Sequence, residues 1–196
     1  MYLPFILAAF ALCLPQPGFA QVDVPYWITD SRTGCRVWNS YPHPPNEAVS
    51  WSGSCVNGMA QGPGVVQWFK DGKPSEGGHV EFRNGKMNGH GVYTAEDGSR
   101  YDGEMRNNMA NGHGIATLAN GSRYEGEYRD NKRNGRGLQT YANGDRYEGE
   151  WHDHKSNGAG KLTFVSGEVY NGFWTEGCFR DGNRRAALEV ALSSCP

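Results

Sequence analysis

Along the second half of the chain, large and polar side chains alternate with a period of two in short runs. Tyr124, Gly126 and Tyr128 interleave with Arg123, Glu125 and Glu127, and matching runs begin at Tyr101 and Tyr147. That period places alternate residues on opposite faces of a β-strand. Asn120-Gly121 and Asn143-Gly144 each separate two such runs, which predicts hairpins closed by two-residue type I′ turns. With Asn120 and Gly121 as the turn, Thr117 pairs with Tyr124 and Ile115 with Gly126. One face then carries Tyr124, Gly126, Tyr128, Ile115 and Thr117, and the other carries Arg123, Glu125, Glu127, Ala116 and Leu118. Gly126 opposite a bulky Ile115 leaves room for neighbouring side chains to pack.

The alternation belongs to a repeat of 23 residues. Gly103, Gly126, Gly149 and Gly172 stand 23 apart, as do Gly89, Gly112, Gly135 and Gly158, then Gly91, Gly114, Gly137 and Gly160, then Gly98, Gly121, Gly144 and Gly167. Tyr101, Tyr124, Tyr147 and Tyr170 open successive units, and Met105, Tyr128, Trp151 and Trp174 follow four residues later. Two degenerate units precede them. One opens at Trp51 with Gly62 and Gly64 as its glycine pair, and the next uses Gly78, Val80 and Phe82. Each unit contributes two strands, or about 9–10 Å of sheet width. Each also contacts mainly its neighbours, so the ends need caps.

Composition agrees with a thin, turn-rich fold. Glycine accounts for 28 of 196 residues and hydrophobic residues for only 37%, against an ordinary glycine share of about 7%. Aromatics at 12% argue against disorder, because large rings offset the entropy of ordering. Nineteen Lys and Arg against 21 Asp and Glu give a net charge of -2, which excludes an electrostatic nucleic-acid binder.

The ends carry different signals. Residues 1–20 contain no charge, and the ten apolar residues from Phe5 to Leu14 are too short to span a bilayer. Pro15, Pro17 and the small residues before Ala20 predict a signal peptide cleaved between Ala20 and Gln21, leaving a secreted or periplasmic chain with no transmembrane segment. Four cysteines then remain, two near each end, and local pairing is expected: Cys35 with Cys55, and Cys178 with Cys195. Residues 21–50 read as an N-terminal cap with the proline-rich linker Tyr41 to Glu47. Residues 175–196 read as a C-terminal cap, in which Asn183 to Ser193 has the composition of a short helix.

The in-phase motif Tyr-x-Gly-x-aromatic, Gly-x-Gly and turn glycine, carried here by Tyr124, Gly126, Tyr128, Gly135, Gly137 and Gly144, resembles the MORN (membrane occupation and recognition nexus) repeat family, in a secreted bacterial form. The resemblance covers about residues 51–174, with units starting near 51, 78, 101, 124, 147 and 170. It implies an all-β fold: an elongated, twisted, single-layer antiparallel sheet of about six hairpins, here completed by the short helical cap.

No catalytic, metal-binding or cofactor-binding set emerges. His152 and His154 are two apart but lack a signalled third ligand. His90 and His113 occupy a position that Arg136, Ala159 and Pro63 also fill. The acid pairs at 102/104, 125/127 and 148/150 share a face with Arg100, Arg123 and Arg146, as in a partly compensated charged sheet. The collective feature is aromatic. Tyr101, Tyr124, Tyr128, Tyr147, Tyr170, Trp151 and Trp174 line one face, either as an exposed groove for a partner or as rings packed on one another and on Val92, Ile115 and Leu138. The expected role is a non-enzymatic scaffold that binds another protein. A lipid-head-group module, as the family name records, and a glycan-binding module are the alternatives.

Overall fold

The computed structural model describes residues 27–39 and 46–195. The signal-peptide segment with Ala20 and Gln21, and Tyr41 to Pro45 of the linker, lie outside the described residues. The first strands are β1 (Trp27–Thr29), β2 (Arg36–Trp38), β3 (Glu47–Trp51), β4 (Ser54–Val56), β5 (Met59–Lys70), β6 (Lys73–Arg83), β7 (Lys86–Met87) and β8 (Gly89–Thr94). The regular repeats supply β9 (Arg100–Arg106), β10 (Met109–Thr117), β11 (Arg123–Arg129), β12 (Lys132–Thr140), β13 (Arg146–His152), β14 (Lys155–Thr163) and β15 (Val169–Thr175). The chain closes with β16 (Cys178–Asp181), β17 (Arg184–Ala187) and a 3-10 turn at Leu192–Ser194. From β8 to β17 every strand pairs antiparallel with the next, in one long open meander. Among the described residues a single parallel pairing, Arg36 with Met59, makes the sheet mixed. Pairings beyond the repeats, β1 with β2 and β16 with β17, take the succession past the six hairpins expected.

The turn chemistry corrects the predicted register by one residue. Among residues with positive φ are Asn107 and Asn108 (51° and 66°), Asp130 and Asn131 (47° and 69°), and Asp153 and His154 (46° and 74°). Two successive positive φ values define the type I′ turn, so these pairs form it, and Asn120-Gly121 and Asn143-Gly144 do not. At the predicted site only Gly121 is left-handed, with φ 86°. Gly121 N–H donates to the Leu118 carbonyl at 2.8 Å, and Leu118 N–H to the Ser122 carbonyl at 2.8 Å. This is a three-residue loop ending in a glycine bulge. Ala116 therefore pairs with Tyr124, Gly114 with Gly126, and Ile115 with Glu125. A one-residue slip exchanges faces. Ala116 is buried beside the rings, whereas Ile115, and with it Val92 and Leu138, belongs to the opposite, acidic face.

The core is a zigzag of rings. Tyr124 meets Tyr128 at 5.1 Å between centroids and Trp151 at 5.6 Å. Tyr147 meets Trp151 at 5.0 Å and Trp174 at 5.3 Å. All four contacts are edge-to-face, the arrangement ring quadrupoles favour. Each ring needs a flat floor. A Cβ on Gly126 would stand 2.5 Å from the Gly137 Cα and 2.7 Å from the Tyr124 hydroxyl, so the glycine pair exists to admit the ring. The hydroxyl then donates to the Glu127 carbonyl at 3.1 Å. Register shifts between Gly126 and Tyr128, and between Gly149 and Trp151, bend the strands there.

The expected C-terminal helix is absent. Asn183 to Ala187 turns back through Gly182 (φ 57°) and pairs with β16, Phe179 with Ala186 and Cys178 with Ala187. An edge strand leaves unsatisfied backbone groups along its length, and pairing with β16 satisfies them better than a local helix of Ala and Leu. Both disulfides join the cysteines expected, with Cα atoms 5.6 Å apart for Cys35–Cys55 and 5.5 Å for Cys178–Cys195.

Gly126→Ala is expected to lower stability by about 2–3 kcal/mol, the cost of overpacking a tight site. Urea unfolding monitored by tryptophan fluorescence reads it, and a change below about 0.5 kcal/mol would contradict the ring-and-floor account. Replacing Cys178 and Cys195 together by Ser is expected to cost about 2–4 kcal/mol in the same assay.

Candidate functional site

The two faces of the repeat sheet differ in what they offer a partner. On the ring face, Tyr101, Tyr124, Tyr128, Tyr147, Trp151 and Trp174 are buried, with Tyr147 and Trp174 wholly inaccessible. Tyr170, in the last unit, is half-buried against Phe164 and Phe179. Of the seven rings singled out from the sequence, the structure therefore brings all into one packed row and presents none as an open wall. Burial holds the Tyr101, Tyr124, Tyr128 and Tyr147 hydroxyls well above their usual pKa.

The opposite face is open. It carries Glu81, Glu104, Glu127 and Glu150, 23 residues apart and two strands apart, with Phe173 in the next place at 74% exposure. Beside them run Asp102, Glu125 and Glu148, then the half-buried Val92, Ile115 and Leu138. Two of the outer acids are compensated: Arg100 holds Asp102 at 2.8 Å, and Arg123 holds Glu125 at 2.7 Å. Among the described residues no cation lies within ion-pair distance of Glu104, Glu127 or Glu150. Glu127 accepts instead from the Arg136 backbone N–H at 3.2 Å. A groove of about 770 Å³ runs between these rows, its walls including Glu125, Glu127, Leu138, Glu148 and Glu150.

The MORN repeat family model matches residues 51–73, 81–100, 101–123, 124–146 and 147–169, more than half of the chain. This chain belongs to the MORN repeat family. No curated protein matches it.

The MORN phase makes the remaining candidates easy to place. His90 lies 3.3 Å from Asp102 on the open face, and His113 is exposed in the groove. His152 is exposed, whereas His154 is the second residue of a type I′ turn. Among the described residues no three His, Cys, Asp or Glu side chains gather as metal ligands. His154 has a structural counterpart in each of the two preceding units. Asn131 N–H donates to the Ala110 carbonyl at 3.0 Å while its Oδ1 accepts from Ala110 N–H at 2.6 Å, and Asn108 clasps Met87 in the same way. His154 N–H donates to the Arg133 carbonyl at 3.1 Å, and its Nδ1 accepts from Arg133 N–H at 3.4 Å. A protonated ring would lose that acceptor. Burial first, then the Arg133 charge, push its pKa down to about 4.

Sequence reasoning missed Arg133. It is buried on the ring face, its guanidinium 4.1 Å above the Trp151 ring and 5.7 Å from Tyr124. Its in-phase equivalents are Met87, Ala110 and Ser156. That break in phase was the available signal, and the alternation of charge with rings along the neighbouring strands hides it.

Because His154 titrates lower in the fold than in the unfolded chain, the unfolded chain takes up its proton first as pH falls. Stability from the neutral ring is whole above the ordinary value of 6.5 and is lost as pH drops towards about 4. His154→Asn, which restores the residue used in the two preceding units, is expected to flatten that part of the melting-temperature profile. Equal slopes for wild type and variant between pH 6.5 and 4 would refute the assignment.

Proposed function

We propose that this chain is a non-catalytic repeat scaffold acting outside the cytoplasm, and that it binds a protein partner through the open, acidic face of its MORN sheet. The observation that carries this reading is the row Glu104, Glu127 and Glu150, spaced about 9–10 Å apart by the two-strand repeat and flanked by a half-buried aliphatic row. Carboxylates held against a rigid sheet and left without cations favour a partner bearing Lys or Arg, with apolar contact to Ile115 and Leu138 adding to affinity. Two disulfides suit an oxidising compartment, in line with the predicted leader. No helix among the described residues is long and apolar enough to cross a membrane.

Acidic rows repel the anionic head groups that a lipid-binding surface recognises. Stacking on sugar rings requires accessible aromatic faces, and most of the MORN rings are interior. Both facts favour protein over lipid or glycan.

A lysine-rich peptide, vesicles containing phosphatidylserine, and a soluble glucan distinguish the three readings by equilibrium binding. The peptide is expected to bind, to weaken with salt, and to lose about tenfold in affinity when Glu104, Glu127 and Glu150 are all changed to Gln. Vesicle or glucan binding that survives the triple substitution, with no peptide binding, would overturn the proposal.

A further inference from the structure

The ring face holds a charged side chain among its rings, and it sits under the C-terminal segment. Arg133 replaces Met87 and Ala110 of earlier units, and Gln139 replaces Ala116 and the later Leu162. Both are buried. Placing a guanidinium among rings costs stability unless its charge and donors are met. Here they are met from 56 residues away. Arg133 Nη1 donates to Glu189 Oε1 at 2.8 Å, and Nη2 donates to Oε2, a two-pronged grip on one carboxylate. Tyr141 donates its hydroxyl to the same Oε1 at 3.1 Å. Gln139 Oε1 and the His154 carbonyl accept from Arg133, each at 2.9 Å, and orient the fork. Burial opposes the Arg133 charge, but the bonds to Glu189 more than offset it and hold its pKa above the ordinary value.

The carboxylate in this grip rides on a strap, residues 189–194, that is mostly exposed. Glu189 follows β17 with φ 61°, a backbone region that non-glycine residues seldom adopt. Beyond Leu188, whose N–H donates to the Gly177 carbonyl, the strap ends in the 3-10 turn and the Cys178–Cys195 disulfide. Next to Glu189 a cavity of about 380 Å³ is lined by Leu118, Asn120, Ser122 and Val190, among others. Arg133 Nε and His154 Nε2 are buried there without a hydrogen-bond partner among the described residues. Donors aimed at one carboxylate, unspent polar atoms and adjoining space together describe a receptor for a carboxylate larger than the one now seated.

We propose that Arg133 and Tyr141, with Gln139 orienting the guanidinium, form a carboxylate-binding site, that Glu189 is its resident occupant, and that an acidic segment of a partner protein takes its place when the strap lifts. The site lies on the face opposite the glutamate rows and stands or falls independently of them.

The test uses the disulfide-intact chain and its Glu189→Gln variant, which keeps the shape of the strap but removes its charge. Glutarate and the peptide Asp-Glu-Glu are the probes, with chloride at matched ionic strength as control. In Glu189→Gln the carboxylate probes are expected to raise the melting temperature saturably and to change Trp151 fluorescence, while chloride does neither. Adding Arg133→Met to that variant is expected to weaken the response by about tenfold or more, the loss of a charge-assisted bond. In the wild type, saturating Asp-Glu-Glu is expected to speed amide hydrogen exchange in residues 188–195. No carboxylate-specific response in Glu189→Gln, or an undiminished one after Arg133→Met, would overturn the site. A strap that keeps its protection in the wild type at saturating peptide would overturn the exchange. Should Glu189→Gln not fold, Glu189→Asp, whose shorter side chain weakens the resident's hold and leaves Arg133 and Tyr141 unchanged, supplies the comparison: it must then bind Asp-Glu-Glu more tightly than the wild type does, and equal affinity rejects the proposal.

Discussion

Everything in this sheet depends on a ring lying flat on two glycines. A single antiparallel layer has no second layer to bury its apolar face, so its side chains must cover one another. Tyr124 does this by lying over Gly126 and Gly137, ending its hydroxyl on the Glu127 carbonyl, and meeting Tyr128 and Trp151 edge-on. Repeated every 23 residues, the contact knits the units into one continuous core from Trp51 to Phe179. A β-carbon at either glycine lifts the ring and breaks the chain of contacts in both directions, which is why the glycines recur as strictly as the aromatics.

That use of the rings decides what the molecule offers to others. Rings engaged with each other leave the binding work to the reverse face, where the same alternation sets out glutamates at the repeat spacing. Clasps between units, such as Asn131 with Ala110, hold successive hairpins in one register. A rigid register is what turns isolated surface carboxylates into an ordered row. A departure from this scheme lies on the ring face, where Arg133 ties the C-terminal strap to the middle of the core.

The ends show local preference yielding to long-range demand. Asn183 to Ser193 has helix-forming side chains, but the free edge of β16 and the bridge to Cys195 hold it as a strand and strap. At the N-terminal end, β2 leans on the first two repeats through the pairing of Arg36 with Met59 and the Trp38 N–H bond to the Gly85 carbonyl. Asp30, buried there, accepts from the Trp51 backbone.

The 23-residue period, the strand content, the ring and glycine rows and the cysteine pairing were legible in the sequence, because each follows from local spacing that recurs in phase. The register was not, since Asn-Gly suits either a two-residue or a three-residue loop, and only the packing of Ala116 against Tyr124 selects the second. Nor was the choice between rings open to a partner and rings packed on one another, which depends on contacts between units. Arg133 lay hidden for the same reason: an arginine in a strand reads as solvent-facing until a glutamate 56 residues away is seen to meet it. Sequence by itself determined the repeat and the chemistry on each strand. Tertiary structure alone decided which face is core and which is free, because that choice rests on contacts between units and not within them.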